Sequence, residues 1–166
     1  MASGFCGSRS LSSSFAPAVA AVVSAVAAGG QVSVGCATGA DALVRLACPG
    51  ASVWSASFFG RGRGAFVSRS VALVRSLAAV PGSSFVGFVS SACPVGVLPA
   101  PVWRSGAAVS GSWSSLALAV GLGVRVGVVW CASSPVLLPA WACGLWVVGA
   151  AGVWWFVPAS IQSFLF

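Results

Sequence analysis

The chain has 166 residues, with eight arginines, no lysine, histidine or tyrosine, and one acidic side chain, Asp41; its formal net charge is +7 and its pI is near 10.4. Apolar types make up 58% and charged types 5%, which excludes an intrinsically disordered chain and leaves a length suited to one domain with its own core. Catalysis by a histidine base, a glutamate acid, a tyrosine or a lysine Schiff base is excluded by the missing residues, as is a histidine-containing metal site.

Residues 2–6 form a short apolar run that reads as a strand and ends in the turn Gly7-Ser8-Arg9-Ser10. Ser12 to Ser14 offer helix caps and Pro17 suits a first helical turn, so a helix is expected up to about Ala28, stopped by Gly29-Gly30. Gln31 to Gly35 reads as the second strand, the turn Cys36 to Ala40 leads into a helix opening at Asp41, and Pro49-Gly50 ends it. Ala51 to Ala56 is the third predicted strand. Gly60-Arg61-Gly62-Arg63-Gly64 is expected to be a flexible basic loop, followed by a helix over 65–80 and a break at Pro81-Gly82. Phe85 to Val89 is the fourth strand and 91–110 a Pro- and Ser-rich loop. Gly111 and Ser112 precede a helix to about Val120, and Val124 to Trp130 is the fifth strand. The Trp-rich remainder is expected to form a hairpin or extension covering a sheet edge, then an extended tail. Strands alternate with helices, and the strands are continuous apolar runs. This pattern predicts an α/β fold: a Rossmann-like parallel sheet of about five strands with helices on both faces. The expected divisions are a phosphate-binding domain over 1–131, the Trp-rich extension over 132–157 and the tail over 158–166.

Ten residue types fill 160 positions; the exceptions are Met1, Gln31, Thr38, Asp41, Ile161 and Gln162. Those ten types are the ones whose codons avoid adenine at the first two bases. The high hydropathy is therefore attributed largely to base composition, and a residue kept against the bias is a candidate for a specific role. Residues 15–28 imitate a signal peptide, with Arg9 ahead of them and Ala25-Val26-Ala27 as a cleavage-like site, but they are too few and too alanine-rich for a strong bilayer span. Trp141, Trp146, Trp154 and Trp155 keep a small hydrophobic membrane protein as an alternative. The six cysteines contain no C-x-x-C pair and read as small buried hydrophobes in a reduced, cytoplasmic protein.

In an open parallel sheet, ligands sit beyond the carboxyl ends of the strands. Four marked segments fall there. Gly7-Ser8-Arg9-Ser10 supplies a close backbone approach, two hydroxyls and a guanidinium fork. Gly35-Cys36-Ala37-Thr38-Gly39-Ala40-Asp41 supplies helix N-terminal amides and the Thr38 hydroxyl. Arg61, Arg63 and Arg69 follow the third strand, and Ser110-Gly111-Ser112 opens the last helix. Together they suit an oxyanion guest. Asp41 is expected to cap its helix, to pair with an arginine such as Arg9, or to accept a ribose hydroxyl. Trp54, Trp103 and Trp113 are candidates either for base stacking or for the core.

Gly7-Ser8-Arg9-Ser10, Gly35 to Asp41, Phe66-Val67-Ser68-Arg69-Ser70 and Ser110-Gly111-Ser112 resemble blocks of the SLOG superfamily of Rossmann-like domains, over about residues 4–130. That group includes the DNA-processing protein A family, LOG-type phosphoribohydrolases and nucleotide-signal sensors. The resemblance implies a phosphate or nucleotide pocket formed by Gly7, Ser8, Arg9, Gly39, Asp41, Arg69, Gly111 and Ser112. Ser70 stands where the DNA-processing group usually has Asn. The Gly-Gly-x-Gly-Thr-x-x-Glu block of the phosphoribohydrolases is here Ser-Gly-Ser-Trp-Ser-Ser, without the Glu. The tail, Gln162-Ser163-Phe164-Leu165-Phe166, resembles the pentapeptide that binds the bacterial sliding clamp, which makes Gln162, Leu165 and Phe166 candidate partner-binding residues.

The expected function is a non-catalytic, phosphate-binding module for single-stranded DNA or a nucleotide, self-associating and clamp-associated. No catalytic or metal-binding residue is assigned. The alternative is a nucleotide-processing enzyme or sensor taking an ADP-ribose-like ligand, with Asp41 as its lone acid or base.

Overall fold

The computed structural model describes residues 1–104 and 110–159. Seven strands form one sheet: β1 (Ala2–Gly7), β2 (Gln31–Gly35), β3 (Ser52–Trp54), β4 (Ser84–Val89), β5 (Arg125–Trp130), β6 (Gly144–Val148) and β7 (Trp154–Pro158). Four α-helices accompany them: α1 (Ala16–Ala27), α2 (Ala40–Ala47), α3 (Gly62–Ala78) and α4 (Gly111–Gly121). The strand order is β3-β2-β1-β4-β5-β7-β6. β1 to β5 are mutually parallel, while β7 runs antiparallel to both β5 and β6. The fold is thus α/β with a mostly parallel, Rossmann-like sheet, extended at one edge by a Trp-containing antiparallel hairpin.

The central strands are buried on both faces because each face carries its own helical layer. On one side Val19, Val22 and Val23 of α1 and Val44 of α2 pack with Phe5, Val34, Val86 and Phe88. On the other, Leu73, Val74 and Leu77 of α3 and Trp113 and Leu116 of α4 pack with Phe85, Val126 and Val128. Phe85 and Val86 feed opposite layers, as the two-residue pleat requires. All six residues of β4 are buried, which accounts for its continuous apolar run.

Two expectations are corrected. The stretch 60–64 is not a flexible loop through its length: α3 begins at Gly62, so Arg63 lies in its first turn. Its glycines read as loop, but the packing of Ala65, Leu73 and Leu77 carries the helix back over them. The third strand is shorter than 51–56, because Ala56 to Phe59 turn into a 3-10 helix. The stretch that imitates a signal peptide is α1, seated on the sheet through Val19, Val22 and Val23. Among the described residues, no helix is long and apolar enough to cross a membrane.

The Trp-rich segment is held by indole donors. Trp141, 2% exposed, donates from Nε1 to the Val97 carbonyl (2.9 Å), and Trp113 donates to that of Ser91 (2.9 Å). Trp146 donates to Pro139 (2.9 Å) and Trp130 to Ser134 (2.9 Å). Trp141 meets Trp113 edge-on at 6.2 Å and packs against Trp146 and Phe156 at 5.5 Å each. In a chain without lysine, asparagine or tyrosine, indoles pin the loops that arginine does not reach.

Candidate functional site

The chain leaves β1 toward β2 on one side, and later returns from β3 to β4 on the other. The strand order therefore reverses between β1 and β4. A cleft of about 510 Å³ opens beyond their carboxyl ends, lined by Cys6 to Arg9 after β1 and by Val89 to Ser91 after β4. This is where an open α/β sheet leaves room for a ligand, and the volume is within the usual range for small-molecule sites.

Of the residues singled out in the sequence, Gly7, Ser8, Arg9, Asp41, Arg63, Arg69, Gly111 and Ser112 line this cleft together. Ser10, Thr38, Gly39 and Arg61 do not line it. Ser10 is exposed, its hydroxyl 3.0 Å from that of Ser8. Thr38 donates its hydroxyl to the Arg9 carbonyl (3.1 Å) and so ties the turn after β2 to the turn after β1. Gly39 stands between those turns at φ 65°, where an added Cβ would run into the Ser8 and Arg9 backbone. Trp103 and Trp113 line the cleft, but Trp113 is fully buried, and Trp54 lies over a different cavity beside β3. Gln162, Leu165 and Phe166 lie outside the described residues.

The turn after β1 is braced mainly against its own fold. The Ser8 amide continues the ladder to the Phe88 carbonyl (2.9 Å), the Leu11 amide reaches the Ser8 carbonyl (3.4 Å), and the Ala40 amide reaches the same carbonyl (2.9 Å). The room left by the missing Cβ of Gly7 is taken by the Phe88 carbonyl and Ala40. Arg9 stays exposed, its guanidinium 4.4 Å from the centre of the Phe66 ring.

Asp41 pairs with Arg69 rather than with Arg9. Arg69 Nη1 donates to Asp41 Oδ2 (3.2 Å), and the side chains are only 9% and 5% exposed. The same carboxylate oxygen accepts the Ala37 amide (3.1 Å). Arg69 Nε is buried without a hydrogen-bond partner. Two residues of this arrangement went unassigned in the sequence. An added Cβ at Gly35 would strike Arg69 Nη1 and Asp41 Oδ2, so this glycine makes the space in which the ion pair lies against β2. Arg45, in the last turn of α2, donates to the carbonyls of Gly35 (2.7 Å) and Ala37 (3.2 Å) and fixes the turn that carries Asp41. Asp41 stands out against the codon bias, whereas a glycine, one of the ten favoured types, does not.

Electrostatically, the lining holds three guanidiniums (Arg9, Arg63, Arg69) against one carboxylate, a local charge of +2. At the rim, Ser110 caps α4 by accepting the Trp113 amide (3.5 Å), and the first intrahelical bond runs from Ser114 to Ser110. The Gly111 and Ser112 amides therefore precede the helical bonding pattern at the positive end of the helix. Burial, reinforced by the Asp41 carboxylate and opposed by the Arg69 guanidinium, pushes the Cys6 thiol far above its ordinary value. Cys6 is thus a neutral thiol at physiological pH rather than an activated nucleophile. Among the described residues no three metal-ligating side chains gather in one place. No protein-family model matches the chain, and neither does any curated protein or solved structure.

Proposed function

We propose that the chain is a binding module whose cleft takes the phosphate groups of a nucleotide or of single-stranded nucleic acid. The observation that carries this reading is the +2 lining at the point where strand order reverses, with three guanidiniums and a single carboxylate already committed to one of them. Arginine forks and helix N-terminal amides favour phosphate oxygens over neutral guests. A catalytic role draws little support from a lining whose carboxylate is ion-paired and whose thiol is neutral. The motifs shared with the SLOG superfamily point the same way, toward its DNA-processing members, since the phosphoribohydrolase Glu is missing. Clamp association through Gln162, Leu165 and Phe166 belongs to the same proposal.

The test is fluorescence anisotropy of labelled oligo(dT) and of a labelled mononucleotide, titrated over a range of salt. Two neutralised phosphates on a single strand, matching the +2 lining, correspond to a log–log salt slope of about −1.4. Arg9→Ala is expected to weaken binding by about tenfold, as loss of a charge-assisted contact does. Unaltered affinity in Arg9→Ala, or no binding of either probe at low salt, refutes the cleft as an anion site.

A further inference from the structure

Three features of α3 bear on the guest's shape. Its N-terminus carries Arg61 as the cap residue and Arg63 in the first turn, with no side-chain cap and no acidic residue there. Helices favour anions at this end, so two cations leave it short of negative charge. Secondly, Arg63, Phe66 and Arg69 recur every third residue, wind along one side of the helix and all line the cleft. The Arg9 guanidinium lies 4.4 Å from the Phe66 ring centre and that of Arg69 lies 5.9 Å from it, so the middle of the row holds two cations around one ring. Thirdly, and independently, Arg69 Nε–H is a buried donor without an acceptor, on a side chain that is 9% exposed. An anion that reaches this guanidinium offers an acceptor to a donor that has none within the protein.

Resting on the anion-binding reading above, we infer that the cleft has two phosphate subsites and takes a chain of phosphate groups rather than a single one. The inner subsite is formed by Arg69 and Arg9. The outer one is formed by Arg63 and the first-turn amides of α3. Six residues of helix separate Arg63 from Arg69, an axial span of about 9 Å. Cations strung out along the helix in this way suit a guest that carries several phosphates, a nucleoside polyphosphate or successive phosphates of a short strand.

Calorimetric titration of the full chain with four probes tests this: inorganic phosphate, tripolyphosphate, thymidine monophosphate and a 5′-phosphorylated dT tetranucleotide. The multi-phosphate probes are expected to bind at least about tenfold more tightly than the single-phosphate ones, as a second charge-assisted site requires. Arg63→Gln is expected to bring the ratio of tripolyphosphate to phosphate affinity from about tenfold toward one, by removing the outer guanidinium alone. Arg69→Lys keeps a charge opposite Asp41 and loses the fork, and should weaken all four probes. A tetranucleotide that outbinds tripolyphosphate names a nucleic-acid strand as the source, and the reverse names a free polyphosphate; both support two subsites. Equal affinity for single and multiple phosphates, or an unchanged ratio in Arg63→Gln, overturns the inference while leaving the anion site standing. Failure of all four probes overturns the anion site itself.

Discussion

Gly35 shows what a single missing atom does in this molecule. The Arg69–Asp41 pair occupies the volume that a methyl group would need, and the pair is buried, so it has little room to move aside. Gly35→Ala is therefore expected to cost about 2–3 kcal/mol of stability, the range for overpacking a closed site, measurable as a lower urea midpoint. If the cleft is the anion site proposed above, Gly35→Ala should also weaken phosphate binding, because the displaced guanidinium belongs to that site. The cysteines give a second prediction at this scale. Burial pushes the Cys93 and Cys131 thiols up to about 11 from an ordinary value of 9.0. The folded state thus holds these protons more tightly than the unfolded state does. Their contribution is complete below pH 9.0, declines as the pH rises above it and is gone above about 11. The melting temperature should fall across that window, and Cys131→Ala should flatten part of the fall; a wild-type curve identical to the variant's would contradict the assignment. Three of the residues kept against the codon bias have side-chain hydrogen-bond partners. Gln31 reaches the Ser52 hydroxyl (3.5 Å), Thr38 the Arg9 carbonyl (3.1 Å), and Asp41 its arginine. Which arginine Asp41 would meet was not legible, since Arg9 and Arg69 are distant in sequence and only the fold brings one of them to it.

The helices and parallel strands could be read because Gly and Pro punctuate them: Gly29 and Gly30 after α1, Pro49-Gly50 after α2, Pro81-Gly82 after α3. Punctuation misled at Gly60 to Gly64, where glycines occur inside the first turn of a helix held by its later residues. The loop between β4 and α4 was legible only as a loop. Its attachment by indole N–H donors is a tertiary fact with no local sequence sign. Trp141→Phe keeps much of the ring packing and leaves the Val97 carbonyl only the weak Cys93 thiol donor, 3.9 Å away. The expected loss is about 1 kcal/mol, read from denaturant midpoints, with the far-ultraviolet spectrum unchanged. A loss near zero would mean that the ring alone holds the loop.

At the scale of the whole sheet, the order of the last two strands departs from the chain's sequence. β7 sits beside β5, and β6, made earlier, lies outermost. The Trp-rich composition suggested a hairpin but not which arm pairs with the sheet. The placement leaves β6 as an edge strand with no charged residue, with Leu145, Val147 and Val148 exposed. Such an edge templates pairing with another chain. The expectation is that copies of the chain associate through this edge at high concentration, and that Val147→Lys lowers the light scattering without lowering the melting temperature; scattering unchanged by the substitution would rule this edge out.

The position of β1 has a practical outcome. Met1 is 88% exposed at the end of the strand opposite Gly7, and six residues of β-strand set them about 20 Å apart. The 166-residue chain, biotinylated at its amino group and mounted on a biosensor chip, would therefore turn the cleft beyond the carboxyl ends of its strands toward the flow.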